Sequence, residues 1–361
     1  MSPAAVPVIV VAGFLGSGKT TLLNYLLNVA SNELGARIGV LVNDFGAINI
    51  DAMLVAGQAD GAVTLTNGCM CCSVDSEGLD AALAGLLNPQ AGIDAIVIEA
   101  SGIADPKSLI RMVTTAADPR MRYGGLVYVI DGVGFEQLRQ THPEIGEHVA
   151  VADLVVINKT DLIDALTLSG IEAAAAELNP TGARVAVTNA RVDPALLLDP
   201  VDRDEAPDDR LPRQLTLDEL LAAHSDDHAR SDDHAHCDGH AHDHLHDAYV
   251  SVEFVTDEAM DPRRLAEFLA RPPAGCYRIK GITWFDLPGH RQCHVVHSVG
   301  GFVGVQRGTW PEGKRSTSLV AIGAGMDADE VRAVLRAAVA TEASASDEHG
   351  ILHITRHLPN A

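Results

Sequence analysis

The sequence predicts an α/β fold, a parallel sheet with helices on both faces, followed by a small α+β domain. Three observations carry this expectation. Short apolar runs free of polar alternation recur along the first 190 residues, with helix-compatible stretches between them. A segment rich in Pro, Asp and His then breaks the pattern, and strand-like runs return after Ala248. Strands covered on both faces read as continuous apolar runs, and alternation with helices supplies the crossovers that a parallel sheet needs.

The strand runs of the first part are Val8 to Ala12, Arg37 to Val42, Ala95 to Ile98, Leu126 to Ile130, Leu154 to Ile157 and Arg184 to Val187. Helices are expected over Thr20 to Val29, Leu79 to Leu87, Pro106 to Val113 and Leu168 to Leu178. Together they predict a first domain over residues 1–190. From Asp193 the stretch "DPALLLDPVDRDEAPDDRLPRQ", then eight His among Asp between His224 and His246, predict a disordered linker over 191–247. Strands return in "AYVSVEFV", "CYRIKGITWF", "QCHVVHSV" and "SLVAIGAG", with helices at Asp261 to Leu269 and Asp327 to Val339. This order predicts an antiparallel α+β domain over 248–342 and a tail over 343–361.

Across 361 residues the formal net charge is −23, which repels nucleic-acid phosphates and anionic membrane surfaces and favours cations as ligands. The apolar runs are too short to span a bilayer, and "MSPAAVPVIVVAGF" has no basic leader, so a soluble cytoplasmic protein is expected. Of six cysteines, three crowd into "TNGCMCCSV": Cys69, Cys71 and Cys72. In a reducing compartment such a cluster points to metal binding or catalysis and not to a disulfide framework.

"GFLGSGKTT", Gly13 to Thr21, matches G-x-x-x-x-G-K-[ST] between an expected strand and an expected helix, the context of a P-loop NTPase. Gly13, Gly16, Ser17, Gly18, Lys19, Thr20 and Thr21 are the candidate phosphate-binding residues. Backbone N–H groups around Gly16 to Lys19 can wrap phosphates, Lys19 can reach the β and γ phosphates, and Thr20 can ligate Mg²⁺. "INKTD" closes a later strand and places Asn158, Lys159 and Asp161 at the sheet's carboxyl edge. Asp161 can accept the N1 and N2 hydrogens of guanine, a pair that adenine does not offer, so GTP is expected over ATP. In "IVIEASGIADP", Glu99 can orient a Mg²⁺-bound or attacking water, and the Gly102 N–H can sense the γ-phosphate.

"GFLGSGKTTLLN", "NGCMCCS", "EASGIADP" and "NKTD", in this order, resemble the CobW-type metallochaperone GTPases, relatives of the nickel-insertion GTPases. A weaker similarity resumes in "YRIKG" and from Trp310 to Asp327. The resemblance implies GTP hydrolysis coupled to delivery of Zn²⁺ or Co²⁺ to a client apo-metalloprotein, with Cys69, Cys71 and Cys72 holding the cargo. The residues support this independently, since three thiolates suit a borderline metal and leave a tetrahedral site with an open fourth position. The family usually carries Asn-Glu-Phe-Gly-Glu where this chain reads "NDFGAINID"; Asp44 and Ala47 occupy the two acidic positions, leaving Asp44 and Asp51 as candidates for the Mg²⁺ or water network.

His234, His236, His240, His242, His244 and His246 form an auxiliary, weak metal-gathering tract, with Cys237 among them. Cys276, Cys293, His294 and His297 read as strand residues. Among cargoes, zinc delivery leads and cobalt delivery for cobalamin synthesis is the alternative. A passive metal buffer and a redox-sensing GTPase are the readings of other classes.

Overall fold

The structure, a computed structural model, describes residues 5–42, 63–65, 79, 83–88, 91–102, 104–116, 118–198, 249–287, 290, 292–310, 315–341 and 349–358. The first part begins with β1 (Val6–Gly13), α1 (Lys19–Asn32), β2 (Ile38–Val42), β3 (Val63–Leu65) and β4 (Ala95–Glu99). It continues with α2 (Pro106–Thr115), β5 (Met121–Asp131), α3 (Phe135–Thr141), α4 (Glu144–Ala150), β6 (Leu154–Asn158), α5 (Ala165–Leu178), β7 (Ala183–Ala186) and α6 (Pro194–Leu197). The strands form one parallel seven-stranded sheet in the order β3-β2-β4-β1-β5-β6-β7.

Period-two alternation explains why β1 is apolar at every core position. Ile9 and Val11 face α1 through Leu22, Leu23 and Leu26, while Val8 and Val10 join Leu109 and Val113 of α2 on the other face. Helix starts follow a repeated Asp-Pro signature. Asp105, Asp193 and Asp261 each accept a hydrogen bond from a first-turn N–H, with the following Pro at a position where no N–H is needed. No helix of the described residues is long and apolar enough to cross a membrane.

The second part contains β8 (Val250–Thr256), α7 (Pro262–Ala270), β9 (Cys276–Thr283), β10 (Cys293–Val299), β11 (Phe302–Gly308), β12 (Thr317–Gly323), α8 (Ala328–Ala337) and α9 (Leu352–Thr355). Its strands form an antiparallel sheet in the order β11-β10-β9-β12-β8. Leu319 and Ala321 of β12 pack with Leu265, Leu269, Val331 and Leu335 of the helices. Val320 and Ile322, pointing to the opposite face, join Tyr277 and Val299 in the core that also holds Val127 and Leu154 of the first sheet. β12, next to the centre of the second sheet, is thus covered on both faces. Tyr277 donates its hydroxyl proton to the Gly124 carbonyl at 3.2 Å, and Gly275 N–H donates to the Thr181 carbonyl at 3.0 Å.

Several elements depart from the sequence expectation. β5 starts at Met121, five residues before the apolar run, because the register shifts opposite Val8 and Ile9 and hides the earlier strand residues behind two glycines. α3, α4, β3 and β11 have no counterpart among the expected elements. Leu196, Leu197 and Leu198, in a segment whose composition reads as linker, are buried in the first core. Ile351 and Ile354, in the expected tail, are buried against the second. In each case a few apolar residues inside polar sequence suffice to anchor a short helix. The expected helix over Leu79 to Leu87 is described at residue 79 and residues 83–88, helical at 79 and over 83–86.

Candidate nucleotide site

β1 delivers the phosphate-loop sequence to the carboxyl edge of the sheet, and α1 begins at Lys19 directly after it. Gly18 sits at φ 106°, and a Cβ there would run into the Asn158 side-chain amide, so the close approach of the two segments requires glycine. Gly16, at φ 74°, would place a Cβ with nothing within 4 Å of it, so the outer side of the loop is open space. Gly18 supplies no side-chain cap to α1, so the first-turn N–H groups are left for an anion. The buried Ser17 hydroxyl has no hydrogen-bond partner among the described residues. An uncapped helix start, an orphaned hydroxyl and an open outer face together fit a bound phosphate group.

Lys19 is buried to 8% exposure, and its Nζ donates to the Phe14 carbonyl at 3.3 Å, lying across the loop it would serve. Thr20 donates its hydroxyl proton to Glu99 Oε1 at 2.7 Å, which joins the first turn of α1 to the end of β4. Both are hard oxygen donors of the kind Mg²⁺ takes. Thr21 lies exposed on the same turn. Gly102 follows β4 so closely against the loop that a Cβ would come within 2.8 Å of Leu15 N. Gly13 closes β1.

Asn158, 2% exposed, ends β6. Its Nδ2 donates to the Ser17 carbonyl at 2.9 Å, and its Oδ1 accepts from Ala190 N–H at 2.8 Å. Lys159 adopts a left-handed φ of 64°, and its Nζ pairs with Asp131 Oδ2 at 2.7 Å. Asp161 is exposed on the short turn Thr160–Leu162. Thr160 Oγ1 donates to the Val187 carbonyl at 3.0 Å, fixing that turn against the segment after β7.

Glu99, Gly102, the phosphate loop and the Asn158–Asp161 turn therefore meet at one edge. Two participants were missed by sequence reasoning: Asp131 and Ala190. Asp131 had a signal, an acid at the end of the apolar run "VYVID"; Ala190 had only the Thr188-Asn189 polar pair past a strand, with Asn189 and Ala190 at φ 52° and 55°. Asp44, Asp51, the thiols Cys69, Cys71 and Cys72, and the tract from His234 to His246 lie outside the described residues. Among the described residues no group of three or more His, Cys, Asp and Glu comes together. Cys276 and Cys293 are buried free thiols in strands, and burial pushes the Cys276 thiol up to about 12.

The nucleotide-binding domain model of the CobW/HypB/UreG proteins matches residues 7–186, and that of the cobalamin synthesis protein CobW C-terminal domain matches residues 249–339. The chain is 30% identical over 368 residues to a zinc chaperone CobW from Sinorhizobium sp, with 92% of this chain and 97% of the relative covered. It is 28% identical over 345 residues to the zinc chaperone YjiA of Escherichia coli (strain K12), with 92% and 98% covered. The crystal structure of Zn(II)-bound YjiA GTPase from E. coli aligns with a TM-score of 0.42 at 20% identity, covering 94% of this chain and 100% of that one. With a phosphate loop tied to an Asn-Lys-Thr-Asp turn and both domain models matched in order, the chain belongs to the CobW/HypB/UreG family and carries a CobW C-terminal domain.

Proposed function

We propose that this protein is a GTP-hydrolysing metallochaperone that holds Zn²⁺, or Co²⁺, on Cys69, Cys71 and Cys72 and passes it to a client apo-metalloprotein. The observation that carries the reading is the buried Asn158 amide, which fastens the phosphate loop to the turn bearing Asp161. A nucleotide whose phosphates sit on the loop then meets Asp161 with its base, and the carboxylate favours guanine. The metal half draws support from the thiol spacing and from relatives named as zinc chaperones.

In this reading, loop N–H groups and Lys19 neutralise the phosphates, while Thr20 and Glu99 would hold Mg²⁺. Mg²⁺, when bound, offsets the negative charge that develops on the transferring phosphoryl group. Glu99 also orients water near the γ-phosphate, and Gly102 N–H reads whether that phosphate is present. Asp44 and Asp51 are assigned to the same ion and water network. The thiolates leave a fourth position where a client's own ligand can enter before the ion is released.

Purified protein should hydrolyse GTP slowly with Mg²⁺ and turn over ATP far less, read by phosphate release. Lys19→Ala should abolish turnover without unfolding the chain. Equal turnover of ATP and GTP would sink the guanine assignment.

A further inference from the structure

His294 stands near the start of β10 with 1% of its surface exposed, and neither ring nitrogen has a hydrogen-bond partner among the described residues. A neutral imidazole carries one N–H and one lone pair. Burying either unmatched costs about 1–3 kcal/mol, and such orphans in native proteins call for an ion or a water. Burial pushes His294 well down, to about 4, with the Arg307 guanidinium acting the same way.

A second imidazole lies beside it. His290, half-buried in the connection between β9 and β10, has its ring centroid 6.0 Å from that of His294, with the planes inclined by 31°. At a metal–nitrogen distance of about 2.0–2.1 Å, two imidazoles on one tetrahedral ion have centroids roughly 5.2 Å apart, and about 6.4 Å only when the two nitrogens lie in line through the ion. The observed spacing lies between these limits, so the pair closes on a tetrahedral ion by a movement of about 1 Å, which His290, outside the strands, can make. Phe285 packs against His294 in an edge arrangement, with ring centroids 5.2 Å apart. Arg307, directly opposite His294 on β11, adds positive charge. Charge attraction alone cannot hold a cation there, which favours ions that bond strongly to imidazole over Mg²⁺ or Ca²⁺.

We infer that His290 and His294 form a second metal site, in the C-terminal domain, which takes a divalent first-row transition ion such as Zn²⁺ through one nitrogen of each ring. The remaining coordination positions go to water or to a ligand from outside the chain. The site stands independently of the thiol loop and of the nucleotide.

Equilibrium dialysis of the full chain at buffered free Zn²⁺ tests it, comparing the parent with His290→Ala, His294→Phe and the double variant. Each single variant should bind one equivalent of zinc fewer than the parent, and the double variant should lack that same single equivalent. His294→Phe alters a buried position, so His290→Ala, outside the strands, is the deciding variant, with its fold checked by thermal melting. Parental stoichiometry in His290→Ala at every free Zn²⁺ concentration overturns the inference. So does a loss of two equivalents in the double variant, which would mean two unrelated sites.

Discussion

Asn158 and Asp161 stand three residues apart and make opposite demands on the fold. Asn158 is buried and satisfies two backbone groups, one in the phosphate loop and one past β7. Asn158→Ala would strand both, at about 1–3 kcal/mol of stability, and should also weaken GTP binding. Asp161 is exposed, so Asp161→Asn should weaken GTP binding while leaving denaturant unfolding unchanged. Unfolding curves and GTP titrations on the two variants check the pair; a stable Asn158→Ala would remove the tie between the two halves of the site. The motif letters placed Asn158 at the base-binding edge, but its bridging role was not legible. Its two partners lie 141 and 32 residues away, and nothing local to "INKTD" says that the amide points inward.

At the scale of elements, the readable parts were those governed by local rules. The apolar run of β1 and the Asp-Pro helix starts follow from alternation and capping, which act over a few residues. The early half of β5 was not readable, since its pairing depends on a register shift against β1. The role of Leu196 to Leu198 was hidden for the same reason: composition describes a segment's average, while burial depends on which distant surface it meets. The contact between the two sheets is the clearest case. Tyr123 donates its hydroxyl proton to Asp153 Oδ2 at 2.6 Å, its ring packs at 4.6 Å from Phe302, and Gly300 presses on the Asp153 carboxylate. Gly300 is at φ 56°, and a Cβ there would collide with Asp153 Oδ1. Gly300→Ala should therefore cost about 1–3 kcal/mol through overpacking, measured by denaturant unfolding. A neutral outcome would show that the second sheet docks loosely and that the contact is not selective.

For the whole molecule, the question is how a nucleotide site and a metal site on one chain influence each other. The His-rich tract carries eight His among Asp residues, a composition that gathers metal weakly, so deleting residues 224–246 should lower the number of weakly bound ions and leave both GTP turnover and the tightest metal site intact. Metal counting by dialysis, with and without the deletion, checks this; loss of the tightest site would move the primary cargo site from the thiols to the tract. In sequence the thiols lie between β2 and β4, whose last residues, Val42 and Glu99, pair at the edge where a γ-phosphate would sit. Contacts that order those segments in the GTP state should also gather Cys69, Cys71 and Cys72. By linkage, whatever factor the nucleotide state applies to metal affinity, the metal applies to the relative affinity for the two nucleotides, typically about 1–3 kcal/mol or roughly 5–150-fold. Competition of the full chain against a chromophoric chelator for Zn²⁺ or Co²⁺, with Mg²⁺ and either a non-hydrolysable GTP analogue or GDP present, measures that factor directly. Tighter metal binding in the analogue state, lost when Cys69, Cys71 and Cys72 are each replaced by Ser, is the predicted result; equal affinities in the two nucleotide states would contradict it, because hydrolysis would then have no means of releasing the ion.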